Sequence, residues 1–179
     1  MASVWWVSFR FLALYTLLLG VCGNPPVQPV IGRAVASVAA EILQLSLGRP
    51  IESSLGAGTM VLTVPEYDDA EAAETEIGTL EHIRNLALFL AVVLAAAKVR
   101  DRRLVMVAVI GSLGLIVLDG AIVAAEAWLN LSDSVGFNRA YEVLAVLSVY
   151  HATGAAGMFA APAFVGALAV FALNQPRAT

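Results

Sequence analysis

Long apolar stretches separated by short polar segments dominate this chain. The clearest stretches cover Val4 to Gly20 and residues 83–97, 104–129 and 140–173. A helix needs about 20 apolar residues, and ~17 at the least, to cross the ~30 Å hydrocarbon core of a bilayer. These stretches therefore predict about four transmembrane helices. The last one holds 34 residues, or ~50 Å of helix, so it needs a break or an interfacial lead-in near 151–154.

The first stretch has an alternative interpretation as a cleaved signal peptide ending near Cys22. A signal peptide carries Lys or Arg ahead of its apolar core. Here Arg10 is the first basic residue and lies inside the core, while Trp5 and Trp6 suit the headgroup boundary. We therefore expect residues 1–22 to form a retained first transmembrane helix.

Residues 23–82 follow a different pattern and predict structure at the outer face of the membrane. Apolar residues recur at helical spacing over 30–47, interrupted by charged residues, which favours an amphipathic helix lying in the interface over another span. Residues 51–64 are broken by glycines and rich in β-formers, so they predict a short extended segment. Residues 65–76 form an acidic loop, which such a composition makes a solvated tether.

Composition turns these elements into a fold class. The chain of 179 residues is 60% hydrophobic and 13% charged, with a mean hydropathy of +0.84. Soluble domains are about half apolar and about a quarter charged. A chain this apolar needs the lipid bilayer as part of its solvent, because it cannot cover its surface with polar side chains. The prediction is an all-α polytopic membrane protein with about four transmembrane helices, an interfacial amphipathic helix and a short β-prone outer segment.

Charge is segregated along the chain and predicts its orientation. Four of the ten basic residues lie within 98–103, between two apolar stretches. Loops rich in Lys and Arg stay in the cytoplasm. Residues 98–103 are therefore expected to be a cytoplasmic loop within a three-helix transmembrane region, 83–179. In this topology residues 23–82 and 130–139 lie outside the inner (plasma) membrane, and both termini lie in the cytoplasm.

The inventory of reactive side chains excludes several classes of function. A single cysteine, Cys22, excludes an internal disulfide or a thiolate cluster, and two histidines leave little material for a metal or haem site. The chain has no phosphate-binding glycine loop, dinucleotide fingerprint or basic nucleic-acid face. We expect no cofactor, no metal and no nucleic-acid partner.

Two acidic residues inside the third predicted helix are the strongest candidates for a functional role. An ionisable group at the centre of a span costs roughly 2.5–3.5 kcal/mol and so usually has a partner. Glu126 follows Asp119 by seven residues and shares its helix face. The outer ends of the other helices offer partners, His82, Arg84 and Asn85 on one and Arg139, Tyr150 and His151 on another. The predicted polar cluster contains Asp119, Glu126, His151, Arg139, Arg84 and His82. Such a cluster either clasps helices together or forms a functional site, and the absence of a nucleophile motif favours the clasp.

The order of features over Val30 to Val64 is an amphipathic stretch, a turn ending in Gly48-Arg49-Pro50-Ile51, and a β-prone excursion. This order resembles exosortases and archaeosortases, membrane transpeptidases that process sorting-signal tails. In that family a cysteine nucleophile follows at the outer start of a helix, where Thr79 to Leu86 stands here without a cysteine. Residues 118–121 stand where the family has an asparagine and a catalytic arginine, again without the arginine. His151 falls near the place of a family histidine.

The resemblance implies an accessory role rather than catalysis, because a transpeptidase of this type attacks with a thiolate. The chain is similar to small membrane proteins that accompany exosortases, such as the exosortase H-associated membrane protein. It implies a non-catalytic accessory protein of a bacterial envelope protein-sorting system, with a larger exosortase-like membrane partner. One alternative is a subunit of a proton- or ion-linked transport or electron-transfer complex, with Asp119 and His151 as relay groups. Another is a divergent membrane enzyme with His82 or His151 as general base beside Glu81 or Glu126.

Overall fold

The computed structural model describes residues 4–56, 58–65, 72–97, 102–135 and 155–174. These residues form five helices and three strands, so the expected predominantly helical architecture is confirmed. In chain order they are α1 (Val4–Cys22), α2 (Gln28–Leu47), β1 (Glu52–Leu55), β2 (Thr59–Val64), β3 (Ala73–Gly78), α3 (Leu80–Ala96), α4 (Arg102–Val135) and α5 (Ala155–Asn174).

Three of the described helices are long and apolar enough to cross a membrane: α1 over Trp5–Cys22, α2 over Gln28–Leu47 and α4 over Arg102–Leu131. The chain is therefore a helical membrane protein. Helix α3 has 17 residues, about the minimum for a span, and the apolar part described in α5 covers Pro162–Asn174. The number of four spans stays a prediction. So does the break near 151–154, since residues 136–154 lie outside the described residues, as do 98–101 of the predicted cytoplasmic loop.

Helix α2 departs from the expectation of a helix too polar to span, because its length and hydropathy qualify it as a candidate span. It begins two residues earlier than the predicted 30–47, with Pro29 in its first turn. Its amphipathic pattern is nevertheless visible. Seven residues of one face are buried, whereas the opposite face exposes a polar stripe of Arg33, Ser37, Glu41 and Gln44.

Helix α4 is longer than the predicted span 104–129, and its two halves have different surroundings. Its 34 residues amount to ~51 Å, well beyond the ~30 Å hydrocarbon core. Among its described side chains, up to Leu131, the large exposed apolar ones all lie on the first half, at Val105, Met106, Val109, Ile110, Leu113 and Val117. From Asp119 to Leu131 most side chains are buried, because α2 and the sheet pack against this part of the helix. Asp119 therefore lies just where the lipid-facing part of α4 ends.

The β-prone segment is a three-stranded antiparallel sheet in the order β1-β2-β3. The predicted acidic loop 65–76 was wrong at its end, because residues 73–76 belong to β3. Within β3, Thr75 and Ile77 are buried while Glu74 and Glu76 are exposed. This alternation is typical of a half-buried strand, and the high charge of the segment concealed it. The remainder of the loop, 66–71, lies outside the described residues.

Two apolar clusters hold these elements together. In the first, the sheet packs against α2 and the second half of α4. This cluster includes Met60 and Leu62 of β2, Val35 and Leu43 of α2, and Val123 and Trp128 of α4. In the second, Phe89 and Val93 of α3 pack against Leu115 of α4 and Leu173 of α5. Helix α1 packs along α3, where the Arg10 guanidinium donates a hydrogen bond of 3.1 Å to the carbonyl of Leu94. Helix α3 is thus the central helix of the described bundle.

Candidate functional site

A buried polar cluster joins α3 to α4 at the level where α1 ends. Asp119 of α4 uses both carboxylate oxygens there. Its Oδ1 accepts a hydrogen bond of 3.0 Å from Nδ2 of Asn85, and its Oδ2 lies 3.3 Å from Nδ1 of His82. The second distance is that of an ion pair, although Nδ1 of His82 is not aligned for a hydrogen bond. We call these three residues the Asp119 cluster.

Helical spacing explains why two side chains of α3 can contact the same carboxylate. Residues three apart lie on the same face of a helix, so His82 and Asn85 both point toward α4. The level of the cluster is marked by a small apolar group of Cys22, Ile31 and Ile83, which brings together the end of α1 and the starts of α2 and α3. The cluster therefore lies near one end of the α1 span.

The start of α3 is held in place by the sheet and by α2. The backbone N–H and the Oγ1 hydroxyl of Thr79 both donate to the carbonyl of Gly58, at 3.1 and 3.0 Å. Nε2 of Gln28 donates in turn to Oγ1 of Thr79 at 3.2 Å. Thr79 is 1% exposed, so these bonds satisfy polar groups that water cannot reach. They set the position from which His82 reaches α4.

A close approach between α2 and α4 closes the site on its other side. A methyl group placed on Gly120 would lie 2.5 Å from Cγ1 and 2.7 Å from Cβ of Val38. Only glycine permits this approach, which brings the backbone of α2 next to Asp119. The side chains of His82 and Asp119 are only 2% and 5% exposed, so the carboxylate is buried where these helices meet.

Burial makes this cluster costly unless its members stay together. Taking a carboxylate out of water costs several kcal/mol, and a fixed hydrogen-bond donor and a cation offset that cost. His82 lies at ion-pair distance from the carboxylate, and Asn85 supplies the hydrogen-bond donor. The geometry suits a clasp between helices or a buried proton-holding pair. Nothing in it presents a reacting group to the surface.

The other residues of the predicted cluster are placed differently. Glu126 is partly exposed and lies farther along α4, where no described residue pairs with it. Arg84 is exposed on α3, two residues beyond His82 and hence on a different face of the helix. Arg139 and His151 lie outside the described residues. Among the described side chains, Asp119 is joined by His82 and Asn85.

Sequence reasoning missed the residues that position the Asp119 cluster. Thr79 carries no cap motif and makes no side-chain cap bond, so no local pattern identifies its bonds to Gly58 and Gln28. A similar long-range bond of 3.0 Å, from Nδ2 of Asn130 to Oγ1 of Thr75, ties the second half of α4 to β3. Such partners are far apart in sequence, and local periodicity does not reveal them.

The outer face of the sheet is the second polar feature. Strand register places Glu52 and Glu74 on either side of Thr63, and Glu76 lies in the next row beside Val61. All three carboxylates are exposed, on the face opposite to the buried side chains of β2. We call these residues the acidic sheet face. Among the described residues, no group of three or more His, Cys, Asp or Glu side chains is arranged to hold a metal ion.

Comparison with known proteins finds no relative for this chain. No protein-family model, no curated protein and no solved structure matches it.

Proposed function

We propose that this protein is a non-catalytic accessory membrane protein that binds a larger membrane protein through its acidic sheet face. The observation that carries the proposal is the exposed row of Glu52, Glu74 and Glu76 on a sheet anchored to two membrane helices. Three carboxylates on one face disfavour contact with acyl chains and with anionic headgroups. They favour a protein partner that presents basic side chains.

The buried architecture supports a role in binding rather than in catalysis. The sheet is tied to the helices by the Thr79–Gly58 bonds, by the Asn130–Thr75 bond and by its apolar packing on α2 and α4. A rigid platform lowers the entropy lost when a partner binds. The cysteine offers no alternative, because Cys22 is 6% exposed within an apolar cluster and a nucleophile needs access to its substrate.

The envelope system that we propose is protein sorting of the exosortase type, with an exosortase-like partner. The support for it is the order of elements: an amphipathic helix, a Gly48-Arg49-Pro50 turn and a β excursion before the central helix. In the proposed orientation, in the inner membrane, this excursion faces the periplasmic side and both termini face the cytoplasm.

The test is affinity isolation from native membranes in mild detergent after light crosslinking. The wild-type chain should bring down a larger membrane protein in near-stoichiometric amount. Simultaneous replacement Glu52→Lys, Glu74→Lys and Glu76→Lys should abolish this, whereas Glu41→Lys on the exposed face of α2 should not. A wild-type chain that runs alone would refute the proposal, as would a triple variant that retains the partner.

A second candidate function rests on the buried His82–Asp119 pair. Ionisable residues inside a membrane bundle often carry protons in pumps and transporters. The described partner of Asp119 in such a relay is His82, at 3.3 Å. Asp119→Asn keeps the size of the side chain but removes its charge. If this variant assembles normally and a proton-linked activity of its complex disappears, the relay is favoured; if assembly itself fails, the clasp is favoured.

A further inference from the structure

A small polar pocket lies between α2 and β1, away from both the Asp119 cluster and the acidic sheet face. It has a volume of about 350 Å³ and is lined by Arg33, Ala36, Ser37, Ser53, Ser54 and Leu55. Its charged lining residue is an arginine, and no carboxylate lines it. Within the described residues, the Arg33 guanidinium forms no ion pair or hydrogen bond. Among the described residues, the pocket therefore offers a guanidinium and serine hydroxyls with no anionic side chain beside them.

The fold explains why these donors converge. Arg33 and Ser37 are four residues apart, hence neighbours on one face of α2. Ser53 pairs with Leu62 in the sheet, so its side chain lies on the buried side of the sheet, toward α2. Leu55 packs against α2 at Gly32, where an added methyl group would lie 3.1 Å from Leu55 Cδ1. That contact brings the hydroxyl of Ser53 and the guanidinium of Arg33 to the same opening.

The exposed side chains of α2 beside the pocket change from apolar to charged. They begin with Val30, which is 66% exposed, and continue through Arg33 and Ser37 to Glu41. Val30 adjoins Ile31, which packs on the last residue of the α1 span, Cys22. An exposed apolar side chain about one turn before a guanidinium is an arrangement that suits the boundary between acyl chains and headgroups.

We propose that this pocket binds the phosphate group of a membrane phospholipid. A guanidinium forms paired, charge-assisted hydrogen bonds with phosphate oxygens, and two hydroxyls complete the donor set. Free phosphate shares this chemistry. The lipid is the better match because Val30 offers an exposed apolar contact about one helical turn from Arg33, on the side of the α1 span. This inference does not depend on the proposed protein partner, since its donors Arg33, Ser37 and Ser53 belong to α2 and to the α2 side of the sheet, whereas the acidic sheet face is on the other side.

Native mass spectrometry of the whole chain in uncharged detergent tests the proposal. Three probes are titrated: dihexanoyl-phosphatidylglycerol, inorganic phosphate, and dihexanoylglycerol, which lacks the phosphate. The phosphatidylglycerol should bind the wild-type chain with an apparent Kd well below those of the other two. Arg33→Gln should weaken its binding by about tenfold or more, and Ser37→Ala or Ser53→Ala by about two- to tenfold.

Arg84→Gln is the matched control, because Arg84 is also exposed and lies outside the pocket. It should leave the apparent Kd for phosphatidylglycerol within about twofold. Three results would overturn the proposal: equal binding by the Arg33→Gln variant, equal binding of dihexanoylglycerol, or inorganic phosphate binding as tightly as the lipid. The last result would assign the pocket to free phosphate.

Discussion

His82 on α3 and Asp119 on α4 lie 3.3 Å apart across a helix interface, and each side chain is at most 5% exposed. They are 37 residues apart in the sequence. Each nevertheless supplies the polar partner that allows the other to be buried. An ionisable group in such a place survives because its partner is fixed by the packing around it. The consequences of this pairing, and of the contacts that enforce it, can be measured.

Removing one member of the pair should destabilise the protein strongly. Asp119→Ala leaves Asn85 buried without its acceptor and His82 buried without its ion-pair partner, at an expected cost of about 3–5 kcal/mol. Thermal unfolding in detergent should show a fall in Tm of about 6–20 °C. Glu126→Ala, on the same helix but partly exposed, is the control and should change Tm little. The double variant His82→Ala/Asp119→Ala should cost less than the sum of the single changes. Equal effects of Asp119→Ala and Glu126→Ala would contradict the buried pairing.

The contact at Gly120 gives a second, purely steric prediction. Gly120→Ala should force α2 away from α4, because the new methyl group overlaps Val38. The expected cost is about 1–3 kcal/mol, seen as a lower Tm. Gly114→Ala on the same helix meets no atom within 4 Å and should be neutral or stabilising, since alanine favours helix.

Rescue distinguishes a local clash from a general defect in α4. Val38→Gly removes both the Cγ1 and the Cβ that the methyl group of Gly120→Ala would strike, so the double variant should regain part of the stability lost in Gly120→Ala. If Val38→Gly instead adds the full amount of its own cost to that of Gly120→Ala, the close approach of the two helices is refuted.

The bonds of Thr79 predict a local effect on the turn between β1 and β2. Thr79→Val keeps the shape of the side chain but removes the hydroxyl that donates to Gly58 and accepts from Gln28. The loss should amount to about 1–3 kcal/mol, with faster amide hydrogen exchange at residues 58–59 and at the start of α3. Thr79→Ser, which retains the hydroxyl, should show much slower exchange than Thr79→Val. Identical exchange in the two variants would argue against a structural role for the hydroxyl.

The predicted orientation can be tested by cysteine labelling. In a Cys22→Ser background, Glu74→Cys on the exposed sheet face should react with an impermeant thiol reagent applied to intact spheroplasts. Arg100→Cys, in the predicted cytoplasmic loop, should react only after permeabilisation. The wild-type chain should label poorly throughout, because Cys22 is buried. The reverse pattern for the two introduced cysteines would invert the topology.

Some features of the site follow from sequence for a clear physical reason. Asp119 stands out because an acidic residue within a long apolar helix is costly anywhere in that helix, whatever packs around it. The amphipathic character of α2 is likewise visible, since its polar stripe repeats at helical spacing. The strand β3 is the contrary example. Its alternation is short and carries three acidic or hydroxyl residues, so its composition alone suggests a solvated loop.

The sequence by itself determined that this is an apolar, mainly helical membrane protein with a costly carboxylate in its longest helix, because hydropathy and periodicity are local properties. Only the tertiary structure decided which groups reach that carboxylate. Six residues at the outer ends of two other helices were candidates by their position in the sequence. Of the three on α3, the rotation and approach of that helix brought His82 and Asn85, but not Arg84, to Asp119. That rotation depends on contacts between distant residues, such as Thr79 with Gly58 and Gly120 with Val38. The same long-range packing brought Arg33 next to the serines of β1. Neither segment alone predicts that these side chains lie together.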